Sequence, residues 1–160
     1  MIKKLFLMCI LNALSCVVAA DQLEVYKGTW WQLNTLQEAI YHEARGEPRM
    51  GQIVVGQVIL NRMSHPKFPD TIKDVVYQNK QFSYTERKSL KMTEQRARIK
   101  SFIISIALLS NVYYNDKYKD SLFYHACAGK HKVKPRWDWK KLQFDGQIGA
   151  HCFYSLRRDR

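Results

Sequence analysis

Apolar residues recur at three- and four-residue steps early in the chain. Leu33, Leu36, Ile40 and Ala44 fall on one stripe, which predicts an amphipathic helix that Gly46 can end. Residues 48–63 differ in kind. Their IVVGQVIL centre could be a buried strand by periodicity alone. The apolar character continues on both sides without a turn signal, however, and Pro48 suits a first helical position, so a buried helix is the better reading. Gly51 and Gly56 inside it each cost about 1 kcal/mol relative to Ala, which close packing against a neighbour would explain. A loop stiffened by Pro66 and Pro69 comes next, then a short helix with Ile72, Val75 and Val76 on one face, capped by Asp70 or Thr71. Phe102, Ile103, Ile106, Ala107, Leu109 and Tyr113 repeat at helical spacing and predict a core helix. From Ser121 the pattern shortens to strand-like pieces, Leu122 to Ala126 and Ile148 to Leu156, with Asp145-Gly146 as a turn after Leu142-Gln143-Phe144. The chain therefore reads as α+β, mainly helical, with small β-elements in its C-terminal third.

Two carboxylates lie at the junction of the first two helices. Glu43 sits at the edge of the apolar stripe, where core meets cleft. Partial desolvation there would raise its pKa, as a general acid working near neutral pH requires. Glu47 precedes Pro48, which biases it away from helical dihedrals. Its expected work is to cap the second helix or to support the site. Further on, residues 79–85 are polar and aromatic by turns, a mixture that suits a groove wall stacking on sugar faces and bonding to hydroxyl and acetamido groups.

Composition narrows the setting. Lys3 and Lys4, the apolar run from Leu5 to Val18 and the sequence Val18-Ala19-Ala20 resemble an export signal over residues 1–20, leaving one domain over 21–160; a retained anchor is the alternative. Cys9 and Cys16 would leave with the signal, whereas Cys127 and Cys152 form an even pair that suggests a disulfide in an exported protein. The net charge of +12 becomes +10 without Lys3 and Lys4 and favours an anionic partner. Export turns that expectation toward the cell envelope and away from nucleic acid. The basic residues form separate patches, at Arg87 to Lys100, Lys130 to Lys141 and the C-terminus.

The motifs themselves carry a resemblance. Glu43-Ala44-Arg45-Gly46-Glu47-Pro48, Gly51-Gln52, Val58-Ile59-Leu60-Asn61-Arg62, Phe68-Pro69, Thr71-Ile72 and Gln81-Phe82-Ser83 stand in the order and spacing of the SleB-like, spore-cortex-lytic cell-wall hydrolases. Tyr124-His125, Pro135-Arg136-Trp137, Ile148-Gly149, His151 and Phe153-Tyr154 resemble that family's closing pattern, so the similarity covers about residues 33 to 155. It implies a lysozyme-like, lytic-transglycosylase-type core that cleaves the peptidoglycan glycan strand between N-acetylmuramic acid and N-acetylglucosamine. The first glutamate of the EARGE pattern is the family's acid, which maps onto Glu43. One acid suffices there, because the muramoyl 6-hydroxyl traps the oxocarbenium ion within the substrate, unlike the two-carboxylate glycosidases. The implied cleft is lined by Glu47, Gln81, Phe82, Ser83, Tyr124, His125 and Trp137. Neither cofactor nor metal is expected, and the protein is expected to be a monomer. The chain departs from the pattern in carrying the Cys127 and Cys152 pair and in showing no separate peptidoglycan-binding repeat. A lone catalytic domain with an export signal implies a Gram-negative envelope enzyme or a phage lysin. Two alternatives stand beside this reading: a zinc amidase drawing on His42, His125, His131 and His151, whose spacings fit no metal motif, and a non-catalytic basic protein that binds envelope polymers.

Overall fold

The computed structural model describes residues 29–79, 81–86, 91–130 and 132–158, so the expected export segment lies outside the described residues. Among these residues no helix is long and apolar enough to cross a membrane. The chain divides into two units, Met1–Gln32 and Leu33–Arg160. Of the first, residues 29–32 are described; they are helical and exposed.

In the second unit, helix α1 occupies residues 33–44 and buries Leu36, Ile40 and Ala44 at 1% exposure or less, as the stripe predicts. Helix α2, Arg49–Met63, buries every residue from Gly51 to Ile59. A helix apolar on all sides is stable only with neighbours on all sides, and α2 is the centre of this fold. Its N-cap position is held by Pro48, with no side-chain cap. The expectation that Glu47 caps α2 is thus corrected. Its carboxylate is used elsewhere, as described below. Helix α3, Ile72–Tyr77, buries Ile72, Val75 and Val76, and the Thr71 hydroxyl caps it by accepting from the Asp74 N–H at 3.1 Å.

Helix α4, Gln95–Leu109, turns a different face inward from the one its large apolar residues suggest. Ser101, Ile104, Ser105 and Leu108 are buried, whereas Ile99, Ile103 and Ile106 are 49%, 52% and 42% exposed. The serines can be buried because each bonds within the helix, Ser101 to the Arg98 carbonyl and Ser105 to the Ser101 carbonyl, both at 2.9 Å. At Gly56 the absence of a side chain on α2 leaves room for Leu108 of α4. A Cβ at Gly56 would lie 2.5 Å from Leu108 Cδ1 and 2.8 Å from Ile40 Cδ1, so α1, α2 and α4 converge on a position that only glycine fits.

Strands β1 (Ser121–Ala126), β2 (Leu142–Ile148) and β3 (His151–Leu156) form an antiparallel sheet in the order β1-β3-β2. Asp145-Gly146, expected as a turn, lies inside β2, where the register slips between Phe144 and Gly146. The Asp145 carboxylate accepts from the hydroxyls of Ser121 and Ser155, at 2.6 and 2.8 Å, and so ties the two neighbouring strands together. Gly146 is required by packing: a Cβ there would come 2.6 Å from the Tyr118 hydroxyl. The reversal instead uses Gly149, at φ +57°, with Ala150. A disulfide joins Cys127, just after β1, to Cys152 in β3, with Cα atoms 5.7 Å apart. It tethers the segment that returns over the sheet with Trp137 and Trp139.

Two consequences for stability can be measured. Gly56→Ala should destabilise the protein by about 1–3 kcal/mol in urea unfolding, despite alanine's better helix propensity, because the added methyl overpacks the helix junction. Cys127→Ser combined with Cys152→Ser should cost about 3 kcal/mol, from the entropy that a cross-link over 25 residues removes from the unfolded chain. A loss under 1 kcal/mol would mean that the loop is held by its aromatic contacts instead.

Candidate active site

Glu43 projects from the last turn of α1, and strand β1 brings Tyr124 to it: the phenol donates to Glu43 Oε2 at 3.3 Å. Burial first, then the charge of Glu43, pushes the Tyr124 phenol well above its ordinary value, so it stays protonated and remains a donor. Arg62, 5% exposed at the end of α2, lies behind them. Its Nε donates to the Leu122 carbonyl at 2.7 Å and its guanidinium to Gln81 Oε1 at 3.3 Å. The rings of Phe68, Phe82 and Phe123 surround it, with centroids 5.3, 5.7 and 6.0 Å away. Burial lowers the Arg62 pKa, and the nearby Tyr124 and Glu43 oppose that shift. On the other side of Glu43 in the chain, the His42 ring stacks on Tyr84 at 4.7 Å. Tyr84 is fully buried and its phenol is raised, chiefly by burial.

Glu47 sits across the α1–α2 turn. Its Oε2 accepts from the Ala150 N–H at 2.8 Å, and its Oε1 lies 3.9 Å from His151 Nδ1. A side chain on Gly149 would collide with the Glu47 carboxylate. Glu47 therefore holds the β2–β3 reversal against the end of α1. His151, 8% exposed, packs edge-on against Tyr124 with centroids 5.3 Å apart. Burial lowers the His151 pKa, and Glu47 partly offsets the shift.

Comparison with known proteins gives this geometry a family. A family model described as Cell Wall Hydrolase matches residues 46–154. The chain belongs to that family. The cell wall hydrolase match opens at Gly46, three residues after Glu43. Spore cortex-lytic enzymes from Bacillus cereus and Halalkalibacterium halodurans are 28% and 29% identical over 121 residues, 76% of this chain. The chain spans 43% and 34% of their lengths. Among solved structures, the catalytic domain of the germination-specific lytic transglycosylase SleB from Bacillus anthracis superposes with a TM-score of 0.60 at 25% identity. That match covers 76% of this chain and 92% of that one. The SleB catalytic domain from Bacillus cereus gives 0.59.

Within this family fold the residues singled out from sequence divide into two groups. Glu43, Tyr124 and Gln81 come together around Arg62. Ser83 is exposed at the start of a 3-10 turn next to Gln81, whereas Phe82 is 1% exposed and belongs to the core beneath the site, not to a groove wall. His125 follows Tyr124 on β1, and its ring lies in a different cluster, because adjacent strand residues point to opposite faces. It stacks on Tyr154 at 5.6 Å and meets Trp137 and Trp139 edge-on, while its Nδ1–H donates to the Val133 carbonyl at 2.6 Å. Trp137 shares that cluster and also meets Phe123, at 5.6 Å, whose ring lies against Arg62. His131 lies outside the described residues, and among those described no three His, Cys, Asp or Glu side chains gather as a metal set. Arg62 and His151 were not among the residues expected to form the site. The signal for Arg62 is its place directly after the buried run of α2, with Asn61, where a charged side chain follows residues that are almost all buried.

The lowered pKa of His151 sets a pH dependence for folding. A histidine whose folded pKa is below the ordinary 6.5 adds stability above that pH and loses it as pH falls, because the unfolded chain takes up the proton more readily. His151→Gln should therefore flatten the decline of unfolding free energy between pH 7 and pH 5. An unchanged slope would assign the decline to other groups.

Proposed function

We propose that this chain is a peptidoglycan lytic transglycosylase of the cell envelope, with Glu43 as its single general acid and base. The observation that carries the reading is the Glu43–Tyr124 contact at the end of α1, backed by the buried Arg62. The names of the spore cortex-lytic relatives and of the SleB catalytic domains support the same reaction class. In the forward step Glu43 gives its proton to the glycosidic oxygen between N-acetylmuramic acid and N-acetylglucosamine, and the C–O bond to the muramoyl anomeric carbon breaks. The muramoyl 6-hydroxyl then attacks that carbon, and its proton passes to the Glu43 carboxylate, which restores the acid and leaves a 1,6-anhydro end. The Tyr124 hydroxyl orients the carboxylate through both steps. Gln81, held by Arg62, and Ser83 line the glycan path. Glu47 acts from behind, by fixing the β2–β3 reversal. The site works outside the cytoplasm, where the substrate lies.

Glu43→Gln should lower turnover of purified sacculi by about 10²–10⁴-fold with the unfolding midpoint unchanged. Mass spectrometry of products from the unaltered protein should find anhydromuropeptides. Reducing muramic ends would replace transglycosylation by hydrolysis, and free stem peptides would establish an amidase.

A further inference from the structure

A cavity of about 620 Å³ opens where the ends of α2 and α4 meet the start of β1, lined on its apolar side by Leu60, Met63, Leu108, Leu109, Leu122 and Tyr113. It adjoins a groove of about 1220 Å³ on the sheet side. The two share Lys119, Asp120, Leu156, Arg157 and Arg158. Along the groove, cations from distant parts of the chain converge: Lys67 after α2, Lys117 and Lys119 before β1, Lys140 and Lys141 before β2, Arg157 and Arg158 after β3. They face three carboxylates, two of which are already engaged. Asp120 pairs with Arg158 at 2.9 Å, and Asp145 accepts from Ser121 and Ser155. Among the described residues no carboxylate forms an ion pair with Lys117, Lys119 or Lys140. Tyr114, 56% exposed, lines the cavity, and Phe144, equally exposed, lines the groove.

An anionic polymer would satisfy the cations and leave the apolar cavity empty; a neutral amphiphile would do the reverse. We propose that cavity and groove together bind one anionic lipid, its acyl chain in the cavity and its phosphate headgroup against Lys119, Lys140 and their neighbours. The cavity volume falls within the range of small-molecule sites, about 300–1,000 Å³, and half-exposed aromatic rings suit a membrane interface. Neither concavity includes Glu43, Tyr124 or Gln81, so a membrane-docked molecule keeps its candidate cleft clear for the glycan strand. This inference rests on the envelope reading above. Its readout is binding without turnover, so a failure of glycan cleavage and a failure of lipid binding are seen separately.

The test is co-sedimentation of the whole chain with phosphatidylcholine vesicles, with or without phosphatidylglycerol, beside titration with inorganic polyphosphate. Binding should require phosphatidylglycerol. Lys119→Gln with Lys140→Gln should weaken it at least tenfold, from about fivefold per cation near an anionic surface, whereas Arg96→Gln with Lys100→Gln on α4 should change it less than threefold. Leu156→Gln should weaken vesicle binding and leave polyphosphate binding unchanged. Each variant should keep the far-ultraviolet circular dichroism spectrum and the unfolding midpoint of the unaltered protein, which reports that it has folded. Equal loss in the two lysine and arginine pairs would overturn the site. Equal binding to pure phosphatidylcholine would overturn the headgroup, and a silent Leu156→Gln would overturn the lipid in favour of a phosphate polymer.

Discussion

The fold depends on one constraint, that a helix buried over nine consecutive residues must satisfy the polar groups it carries. Helix α2 does so by sending those groups to backbone atoms of distant segments. The Gln52 amide donates to the Glu47 carbonyl at 2.8 Å and holds the α1–α2 turn. Gln57 exchanges two hydrogen bonds with the backbone of Asn115, at 2.9 and 3.1 Å, and so fixes the segment before β1. Asn61 donates to the carbonyls of Tyr118 and Ser121, and Arg62 to that of Leu122. Left unpaired in the interior, each of these groups would cost about 1–3 kcal/mol. Together they place the start of the sheet against the helix, and the placement follows from hydrogen bonds that no apolar side chain could make.

The candidate site is a product of that placement. Arg62 takes part in both tasks: one nitrogen anchors β1 through Leu122, and another holds Gln81. Once β1 is seated, Tyr124 meets Glu43 across 81 residues of sequence. Glu47 makes the corresponding contact at the other end of the turn, over 103 residues, by accepting from Ala150. The two glutamates of the EARGE stretch thus have unlike surroundings: Glu43 meets a phenol from the middle of β1, and Glu47 meets a backbone amide at the β2–β3 reversal.

The opposite face of the sheet is a structural unit of its own. His125, Trp137, Trp139, Tyr154 and Phe144 form a chain of ring contacts with centroid separations of 5.3 to 6.1 Å, and the Cys127–Cys152 bond ties that layer to β3. Phe123 continues the aromatic series toward Phe68 and the arginine. A three-stranded sheet has too little area to bury both faces on its own. Here the helices cover one face, and this cross-linked aromatic layer covers the other.

Local pattern determined much of this protein. The α1 stripe, the buried character of α2, a cap at Asp70 or Thr71 and the strands β1 and β3 follow from spacing and side-chain chemistry over a few residues, and the EARGE stretch places Glu43 at a helix end. Tertiary structure decided the rest, because it depends on what lies opposite. Ser101 and Ser105, not Ile103 and Ile106, face the core beside Ile104 and Leu108, because each serine hydroxyl bonds to a carbonyl of its own helix and Leu108 packs on Gly56. Asp145-Gly146 stays within a strand because Ser121 and Ser155 engage the aspartate. Tyr124 and His125, adjacent in sequence, go to opposite faces, so one joins the acid and the other the aromatic layer. Cations from four separate segments, around Lys67, Lys117, Lys140 and Arg157, line one groove because the fold brings those segments together. Periodicity reports which residues want burial, but the partners across a packed interface decide which of them obtain it.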